Sequence, residues 1–235
     1  MQLFYTPDIK TEDASFTFDK EESRHIVKVL RKKEGDTIHI TNGQGILFFS
    51  EVTFANEKKC EVKIVKKEFF EPMPYYLHLA VAPTKMNDRY EWFLEKAAEI
   101  GIHEITPIIC EHSERTAFKS DRFEKILQSA MKQSVQFYMP KLNEPIPFKT
   151  FVENMHEGQL FIAHCEETEK KLLKTELKPK EEVTILIGPE GDFSPKEIHL
   201  ALSRNYIPVS LGNTRLRTET AAVVAAHSVA FVNEE

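Results

Sequence analysis

The fold is decided by residues 183–220, VTILIGPEGDFSPKEIHLALSRNYIPVSLGNTRLRTET. The first five of these residues form a short apolar, β-branched run, which is typical of a buried parallel strand. Gly188 and Gly191 follow, and glycines permit a sharp turn or the close approach of a ligand. A second short strand is predicted over residues 207–211, and Gly212 turns the chain again. The pattern therefore predicts two strands with a glycine loop after each.

Two helix starts are also predicted in this stretch. Ser194 is placed as an N-cap, Pro195 at the first helical position and Glu197 at the third, which together form a capping box. Thr218 is predicted to cap a last helix built on an alanine-rich face, namely Ala221, Ala222, Ala225 and Ala226. The order strand, helix, strand, helix is that of an α/β sheet.

The two glycine loops follow the carboxyl ends of strands, the edge where open α/β sheets bind ligands. The residues alone leave two interpretations open, namely ordinary β-to-α turns or a cofactor pocket. The loops match neither GxGxxG nor GxxxxGK[ST]. A dinucleotide or nucleoside triphosphate site of those kinds is therefore not supported.

The amino-acid sequences of the two loops resemble those of a known family. IGPEGDFSPKEI at 187–198 and LGNTRLRTETAA at 211–222 together resemble the C-terminal signature of the bacterial 16S ribosomal RNA (uracil-N3)-methyltransferases. That family belongs to the SPOUT superfamily. The resemblance implies an α/β fold with a trefoil-knotted, Rossmann-like parallel sheet, preceded by a small PUA-like β-barrel. It also implies an enzyme that uses S-adenosylmethionine to methylate N3 of a specific uridine in 16S rRNA of the small ribosomal subunit.

The chain is expected to form two domains, 1–72 and 73–235. The first is mostly β, with an Asn42-Gly43 turn between two alternating runs, and the resemblance makes it the PUA-like RNA-binding domain. Pro72 and Pro74 indicate a linker. Beyond them, strands alternate with helices, such as a strand at 76–82 and a helix at 87–100, which predicts a parallel, doubly wound sheet.

RNA contacts are predicted in both segments. The net charge of −6 does not favour RNA binding, but the run at 24–33, RHIVKVLRKK, is locally basic. An amphipathic helix with a solvated charged face explains that run equally well. The predicted RNA-binding residues are Arg24, His25, Lys28, Arg31, Lys85 and Arg89.

The resemblance implies a cofactor pocket built from the glycine loops, whose backbone groups would read the adenine edge. The expected cofactor-binding residues are Ile187, Gly188, Pro189, Glu190, Gly191, Leu211, Gly212, Asn213, Leu216 and Thr218. His164, at the end of a further predicted strand, is added to them, although a core histidine is an equally good explanation there.

The predicted catalytic residues are Arg217, Glu219 and Arg115. The N3 atom of uracil is an imide nitrogen whose lone pair becomes available when its proton leaves. Arg217 is expected to stabilise the charge on O2 and O4, Glu219 to accept the proton, and Arg115 to bind the target nucleotide. A favourable charge at a helix N-terminus is the alternative explanation of Glu219.

The family pattern is not kept everywhere. Around residues 130–136 the chain has Lys132 and Gln136 where the family usually has an acid and an arginine, and Met1–Tyr5 lacks the arginines often found near the start. Rival interpretations therefore remain: a SPOUT enzyme with another RNA target, such as tRNA or a ribose 2′-hydroxyl, an RNA-binding assembly factor that has lost catalysis, or, least favoured, a nucleotide-dependent metabolic enzyme.

The remaining expectations concern partners and compartment. Superfamily members are usually homodimers, and a homodimer is expected. The chain has no apolar run long enough for a membrane helix and no signal peptide. Its three cysteines are far apart, with no CxxC, which favours a reducing cytoplasm and argues against a metal site.

Overall fold

A computed structural model describes residues 1–116, 118, 120–167 and 169–234. The chain divides into two compact units, each with its own core. The first comprises Met1–Pro72 with Met131–Met139, and the second comprises Met73–Ala130 with Pro140–Glu235. The segments predicted from the sequence, 1–72 and 73–235, differ from these units only in residues 131–139.

The first unit is built on a five-stranded sheet in the order β1-β3-β4-β5-β2. Its core is formed mainly by apolar side chains of the strands, among them the fully buried Phe48 and Ile40, and residues outside the sheet such as Ile26 also contribute. A π-helical turn, His25–Val29, follows the first helix without a break. The elements are β1 Leu3–Tyr5, β2 Ser15–Thr17, α1 Lys20–Arg24, β3 Thr37–Thr41, β4 Ile46–Phe54 and β5 Glu61–Phe69.

The predicted hairpin at Asn42-Gly43 is confirmed, because β3 and β4 pair in antiparallel register on either side of it. Residues 131–139 then close over this turn. The amide of Gly45 donates to the carbonyl of Phe137 at 2.8 Å, and the amide of Met139 donates to the carbonyl of Gly43 at 2.9 Å. A distant segment of the chain thus satisfies the backbone groups of the hairpin.

The second unit contains a parallel sheet in the order β11-β13-β10-β12-β6-β7-β8, with β9 beside β7. The predicted parallel α/β architecture is confirmed. No helix in the described ranges is both long and apolar enough to cross a bilayer. The remaining elements are β6 Tyr76–Val81, α2 Asn87–Ile100, β7 Glu104–Ile109, α3 Ser120–Gln133, β8 Lys141–Leu142, β9 Ile146–Pro147, α4 Phe148–Glu153, β10 Gln159–Ala163, β11 Lys171–Leu172, α5 Leu173–Glu176, β12 Glu182–Ile187, α6 Pro195–Ser203, β13 Ile207–Ser210 and α7 Thr218–Asn233.

The two strands that carry the glycine loops, β12 and β13, lie on either side of β10. β10 is the central one, because Ala163 is in register with Ile187 of β12 on one side and with Val209 of β13 on the other. The loops after these three strands therefore leave the sheet at the same edge. The trefoil knot implied by the family resemblance stays a prediction.

The two helix starts differ in how they match their predicted caps. The capping box of α6 is confirmed, with reciprocal bonds between Ser194 and Glu197. The prediction for α7 is wrong, because Arg217 occupies the N-cap and Thr218 is already helical. The Thr218 hydroxyl instead donates to the carbonyl of Gly188 at 3.0 Å, which fastens the start of α7 to the glycine loop.

The alanine-rich face of α7 packs inward, against α2 and the β6 and β12 strands. Its buried side chains are Ala222, Ala225, Ala226 and Val229. Small side chains allow the helix backbone to approach the sheet closely, and this packing holds the first turn of α7 at the edge where the glycine loops lie.

Candidate functional site

Two adjoining cavities open at the carboxyl ends of β10, β12 and β13. The first has a volume of about 340 Å³ and the second about 370 Å³. They share five lining residues, namely Ala163, Cys165, Arg215, Leu216 and Ala221. The predicted ligand edge of the sheet is therefore concave, and its cavities fall in the size range of small-molecule sites.

Most of the predicted cofactor residues line these cavities. Those in the first cavity are Ile187, Gly188, Pro189, Glu190, Leu216 and Thr218. Those in the second are His164, Leu211, Gly212, Asn213 and Leu216. Ten of the eleven predicted positions are thus brought together, and their contact with a cofactor stays a prediction.

Gly191 is the exception, since it is not among the described lining residues of either cavity. Its carbonyl and that of Asp192 each lie 3.1 Å from Nδ1 of His112. A Cβ atom at Gly191 would approach the Cβ of His112 to 3.0 Å. Glycine at this position therefore permits close packing between the loops after β7 and β12.

The loop after β12 and the first turn of α6 are tied to three neighbouring loops by carboxylates. Glu190 accepts the amide of Lys85 at 3.0 Å, and Asp192 accepts the amide of Cys165 at 2.8 Å. Glu197, beyond the loop, accepts the amide of Glu111 at 2.9 Å. These bonds to ionised groups are among the stronger hydrogen bonds in proteins, so the backbone that lines the first cavity is held in place before any ligand arrives.

The imidazole of His164 is buried but has no hydrogen-bond partner in the described chain. It is 7% exposed, and both of its ring nitrogens are unpaired there. Burial, with a smaller contribution from Lys170, lowers the pKa of its imidazole, so the ring is neutral at physiological pH. A neutral imidazole has one donor and one acceptor, and a polar ligand in the second cavity would satisfy them.

Sequence reasoning missed several lining residues. Lys170 donates to the carbonyls of His164 and Glu166 and so shapes the wall of the second cavity. Arg215 lines both cavities and Asp192 lines the first. Arg215 lies within the loop that the resemblance quoted, so its position was a usable signal. Lys170 follows no recognisable motif and was detectable only in three dimensions.

The predicted catalytic residues Arg217 and Glu219 lie in a third cavity of about 390 Å³, and Arg217 also lines the first cavity. Glu219 is 7% exposed, and its Oε1 lies 3.9 Å from Nε of Arg89. Its Oε2 has no hydrogen-bond partner within the described ranges. The other lining residues of this cavity are Asp88, Arg89, Trp92 and Thr220.

The structure does not bring Arg115, the remaining catalytic candidate, into the described lining of these three cavities. Its Nη1 donates to the carbonyl of Lys85 at 3.2 Å. The ammonium of Lys85 pairs with Glu114 at 2.8 Å. Both bonds join the loop after β6 to the loop after β7, so a structural role for Arg115 is evident and a role in nucleotide binding stays a prediction.

The other candidate RNA contacts lie in the first unit. Arg24 and Lys28 are exposed, and Lys28 lies 3.9 Å from Glu57. His25 lies 3.6 Å from Glu22. Arg31 lines an open cavity of about 470 Å³ together with basic neighbours, Lys32 and Lys33. Exposed pairs of this kind are worth little energetically, so these side chains remain available to phosphates.

Within the part of the chain that the structure describes, no group of three or more His, Cys, Asp or Glu side chains is arranged to hold a metal ion. The concave features of the second unit are instead lined by backbone, apolar side chains and a few charged groups. Together with the parallel sheet, they suit an organic ligand.

Comparison with protein families gives two matches along the chain. Residues 71–230 match the family model described as an RNA methyltransferase domain, and residues 18–65 match one described as an RNA methyltransferase PUA domain. The first match covers the second unit's sheet and all three cavities. Fold and site thus define the class: an RNA methyltransferase domain preceded by a PUA-type domain.

Individual relatives narrow this class. The chain is 33% identical to the ribosomal RNA small subunit methyltransferase E of Buchnera aphidicola, over 89% of this chain and 85% of that protein. It therefore belongs to the ribosomal RNA small subunit methyltransferase E family.

Solved structures agree in fold. A probable rRNA-methyltransferase from Porphyromonas gingivalis is 38% identical and covers 99% of this chain and 98% of its own, with a TM-score of 0.93. A Legionella pneumophila protein described as a methyltransferase, solved in complex with the cofactor SAM, is 28% identical and covers 98% of this chain and 97% of its own, with a TM-score of 0.88. The fold is thus shared over almost the whole length of each chain.

Proposed function

We propose that this protein uses S-adenosylmethionine to methylate N3 of a specific uridine in 16S rRNA. The observation that carries this proposal is the arrangement at one edge of the sheet. Two cavities walled by glycine loops adjoin a third that contains a buried carboxylate, and Arg217 lines both the first and the third. The name of the Buchnera relative and the SAM complex of the Legionella protein support the same activity.

The first two cavities have the donors and acceptors that the cofactor requires. The backbone at Gly188 and Gly212 is open to the cavities and suits the edge of an adenine ring, and Gly212 has a φ of 142°, which favours glycine. The unpaired nitrogens of His164 suit a hydroxyl or carboxylate of the ligand. When bound there, S-adenosylmethionine supplies an electrophilic methyl group.

The side chains of the third cavity prepare the nucleophile. The carboxylate of Glu219 accepts the proton from N3 of uracil, directly or through a water molecule, which frees the N3 lone pair. A bound S-adenosylmethionine would supply the methyl group and leave as S-adenosylhomocysteine. Arg217 stabilises the negative charge that spreads to O2 and O4. Glu219 suits this role because its Oε2 has no hydrogen-bond donor in the described structure.

RNA binding is assigned to both units. The segment 1–72 holds the rRNA through the exposed cations of the basic run, while Lys85 and Arg115 contact the RNA backbone near the target nucleotide and Arg89 contacts that nucleotide itself. Substrate RNA and enzyme meet in the cytoplasm, and the active protein is a homodimer. Light scattering coupled to size-exclusion chromatography tests the last statement, and a monomer mass under assay conditions would contradict it.

The activity is tested with small ribosomal subunits from cells that lack this enzyme. The purified protein is incubated with them and with labelled S-adenosylmethionine, and the modified base is identified by nuclease digestion and mass spectrometry. We expect N3-methyluridine at one site and a large loss of turnover in an Arg217→Ala variant. Cofactor binding without transfer would indicate a different RNA substrate, and absence of both would favour an RNA-binding assembly factor.

A further inference from the structure

The third cavity contains an exposed aromatic side chain that the reaction, as proposed above, does not use. Trp92 lies on α2, is 43% exposed and lines the cavity beside Arg89 and Arg217. It is the single tryptophan of the chain. The neighbouring aromatic residues of α2, Tyr90 and Phe93, are buried in the core. Trp92 therefore points away from the core and gives the cavity a flat apolar wall.

The charges that face this cavity are balanced. Arg89 and Arg217 provide two cations, and Asp88 and Glu219 provide two carboxylates. A bare phosphate would meet repulsion from both carboxylates, and a cationic ligand would meet it from both arginines. The cavity therefore suits a neutral, planar ligand that has both hydrogen-bond donors and acceptors.

The hydrogen-bonding groups of the cavity narrow the choice of ligand further. Glu219 has a buried oxygen with no partner in the described structure, and such a group is costly unless a ligand donates to it. Arg89 and Arg217 share the cavity with it and are donors only. The cavity thus contains donors on two arginines and, besides Asp88, whose Oδ1 accepts the amide of Arg89, the unpaired acceptor of Glu219. Uracil has the complementary edge, with its N3–H between the O2 and O4 carbonyls, whereas N3 of cytosine has no hydrogen and would face the carboxylate with a lone pair.

We propose that this cavity receives the extruded target base, that Trp92 stacks on its face, and that Arg89, Glu219 and Arg217 select uracil by its imide edge. The inference rests on the proposed function and adds the binding mode and the discrimination against cytosine. A base outside its stack commonly packs on an aromatic ring, and such stacking contributes strongly to affinity.

The single tryptophan makes the proposal directly measurable. Emission from Trp92 is followed in the unmodified protein, saturated with S-adenosylhomocysteine, during titration with uridine and separately with cytidine. We expect saturable quenching by uridine, at least about tenfold weaker quenching by cytidine, and loss of that preference in Glu219→Gln, since its amide also donates. Equal quenching by both nucleosides, or none by either, would overturn the proposal.

Methylation kinetics provide the second readout. Trp92→Ala is expected to raise KM for the small subunit about tenfold or more, while Trp92→Phe, which retains a flat ring, stays within about threefold of the parent. Phe231→Ala is the matched control, because Phe231 is 64% exposed and is not among the described residues that line the cavity. An unchanged KM in Trp92→Ala, with normal thermal unfolding, would overturn the proposal.

Failure of the inference differs from failure of the proposed function. If the unmodified protein methylates uridine while Trp92→Ala behaves like its parent, the stacking role is wrong and the enzyme activity stands. If the protein neither binds S-adenosylhomocysteine nor transfers a methyl group, the proposed function itself is wrong. A blue shift of Trp92 emission that depends on protein concentration alone would show that a second copy covers this side chain, which also overturns the inference.

Discussion

The two edges of the parallel sheet differ in whether a histidine and a glutamate find hydrogen-bond partners. At the amino-terminal ends of the strands, Nε2 of His78 lies 2.7 Å from the hydroxyl of Thr106, and Asn143 donates to that hydroxyl at 2.7 Å and to Glu104 at 2.6 Å. At the carboxyl ends, His164 and one oxygen of Glu219 are buried with no partner in the described structure. The same residue types are paired at one edge and unpaired at the other.

This difference separates groups that stabilise the fold from groups kept for a ligand. Burial lowers the pKa of both histidines, that of His78 to about 4. Only His78 gains a compensating hydrogen bond within the described protein. An unpaired buried group lowers stability, so its presence is most easily explained where a ligand completes it.

The largest effect is expected at the carboxyl edge. Glu219→Gln should lower kcat about a thousandfold, because an amide cannot take a proton, and general bases contribute 10²- to 10⁴-fold. Thermal unfolding should change little, since Oε2 has no described partner to lose and Oε1 lies 3.9 Å from Nε of Arg89, too far for a hydrogen bond. Steady-state methylation of small subunits with parallel calorimetry measures both. A variant with undiminished kcat would exclude Glu219 as the proton acceptor.

The next largest effect is expected in the pH dependence of stability and arises from His78 at the amino edge of the sheet. The pKa of His78 is about 4 in the folded protein, mainly because of burial, against about 6.5 in the unfolded chain. Between these values the unfolded state binds more protons, so stability should rise with pH there and fall by about 3 kcal/mol as pH drops from 6.5 to 4.

Urea unfolding curves of the parent and of His78→Gln, recorded across that pH range, isolate this contribution. The glutamine amide retains a donor towards Thr106 but does not titrate, so its stability should depend less on pH. Identical pH profiles for the two proteins would contradict the assignment to His78.

Glu104→Gln should have a smaller effect, and only on stability. Burial opposes ionisation of this carboxylate, but bonds from Asn143, Lys141 and Tyr76 outweigh it and lower its pKa to about 2. Replacing a charged acceptor by an amide should cost about 2 kcal/mol of unfolding free energy. A fall in kcat comparable to that of Glu219→Gln, with unchanged stability, would refute the contrast between the edges.

The smallest effect is expected for His164→Leu. Affinity for S-adenosylhomocysteine should fall about tenfold, the value of roughly one hydrogen bond. Stability without ligand should stay equal or rise, because an unpaired polar ring is removed from a buried position. Isothermal titration and thermal unfolding test both parts, with His78→Leu as the matched variant that should lose stability and keep the affinity.

Local patterns predicted much of the fold. The bounds of α2, 87–100, follow directly from helical spacing, and the capping box of α6 follows from three residues. The position of both glycine loops at one edge of the sheet followed from the strand order and from the resemblance to the family signature. These features depend on residues that are close in sequence, so one sequence is enough to predict them.

Features set by distant partners were not predictable in this way. The side-chain type of Thr218 predicts a helix cap, but its hydroxyl donates to the carbonyl of Gly188 instead. The sequence around Arg89 and Trp92 does not indicate that these residues share a cavity with Glu219. The π-helical turn at His25–Val29 depends on a shift in backbone bonding that no residue type specifies.

The grouping of residues 131–139 with the first unit has a consequence for synthesis. A nascent chain that has emerged through Pro72 contains every strand of the first sheet but lacks Phe137 and Tyr138. In the folded protein the ring centroid of Phe137 lies 4.1 Å from that of Phe70, and the hydroxyl of Tyr138 donates to the Phe70 carbonyl. More than sixty further residues, including β6, α2 and β7, must be translated before this closure becomes available. The first unit is therefore synthesised first but cannot complete its packing until part of the second unit has been synthesised.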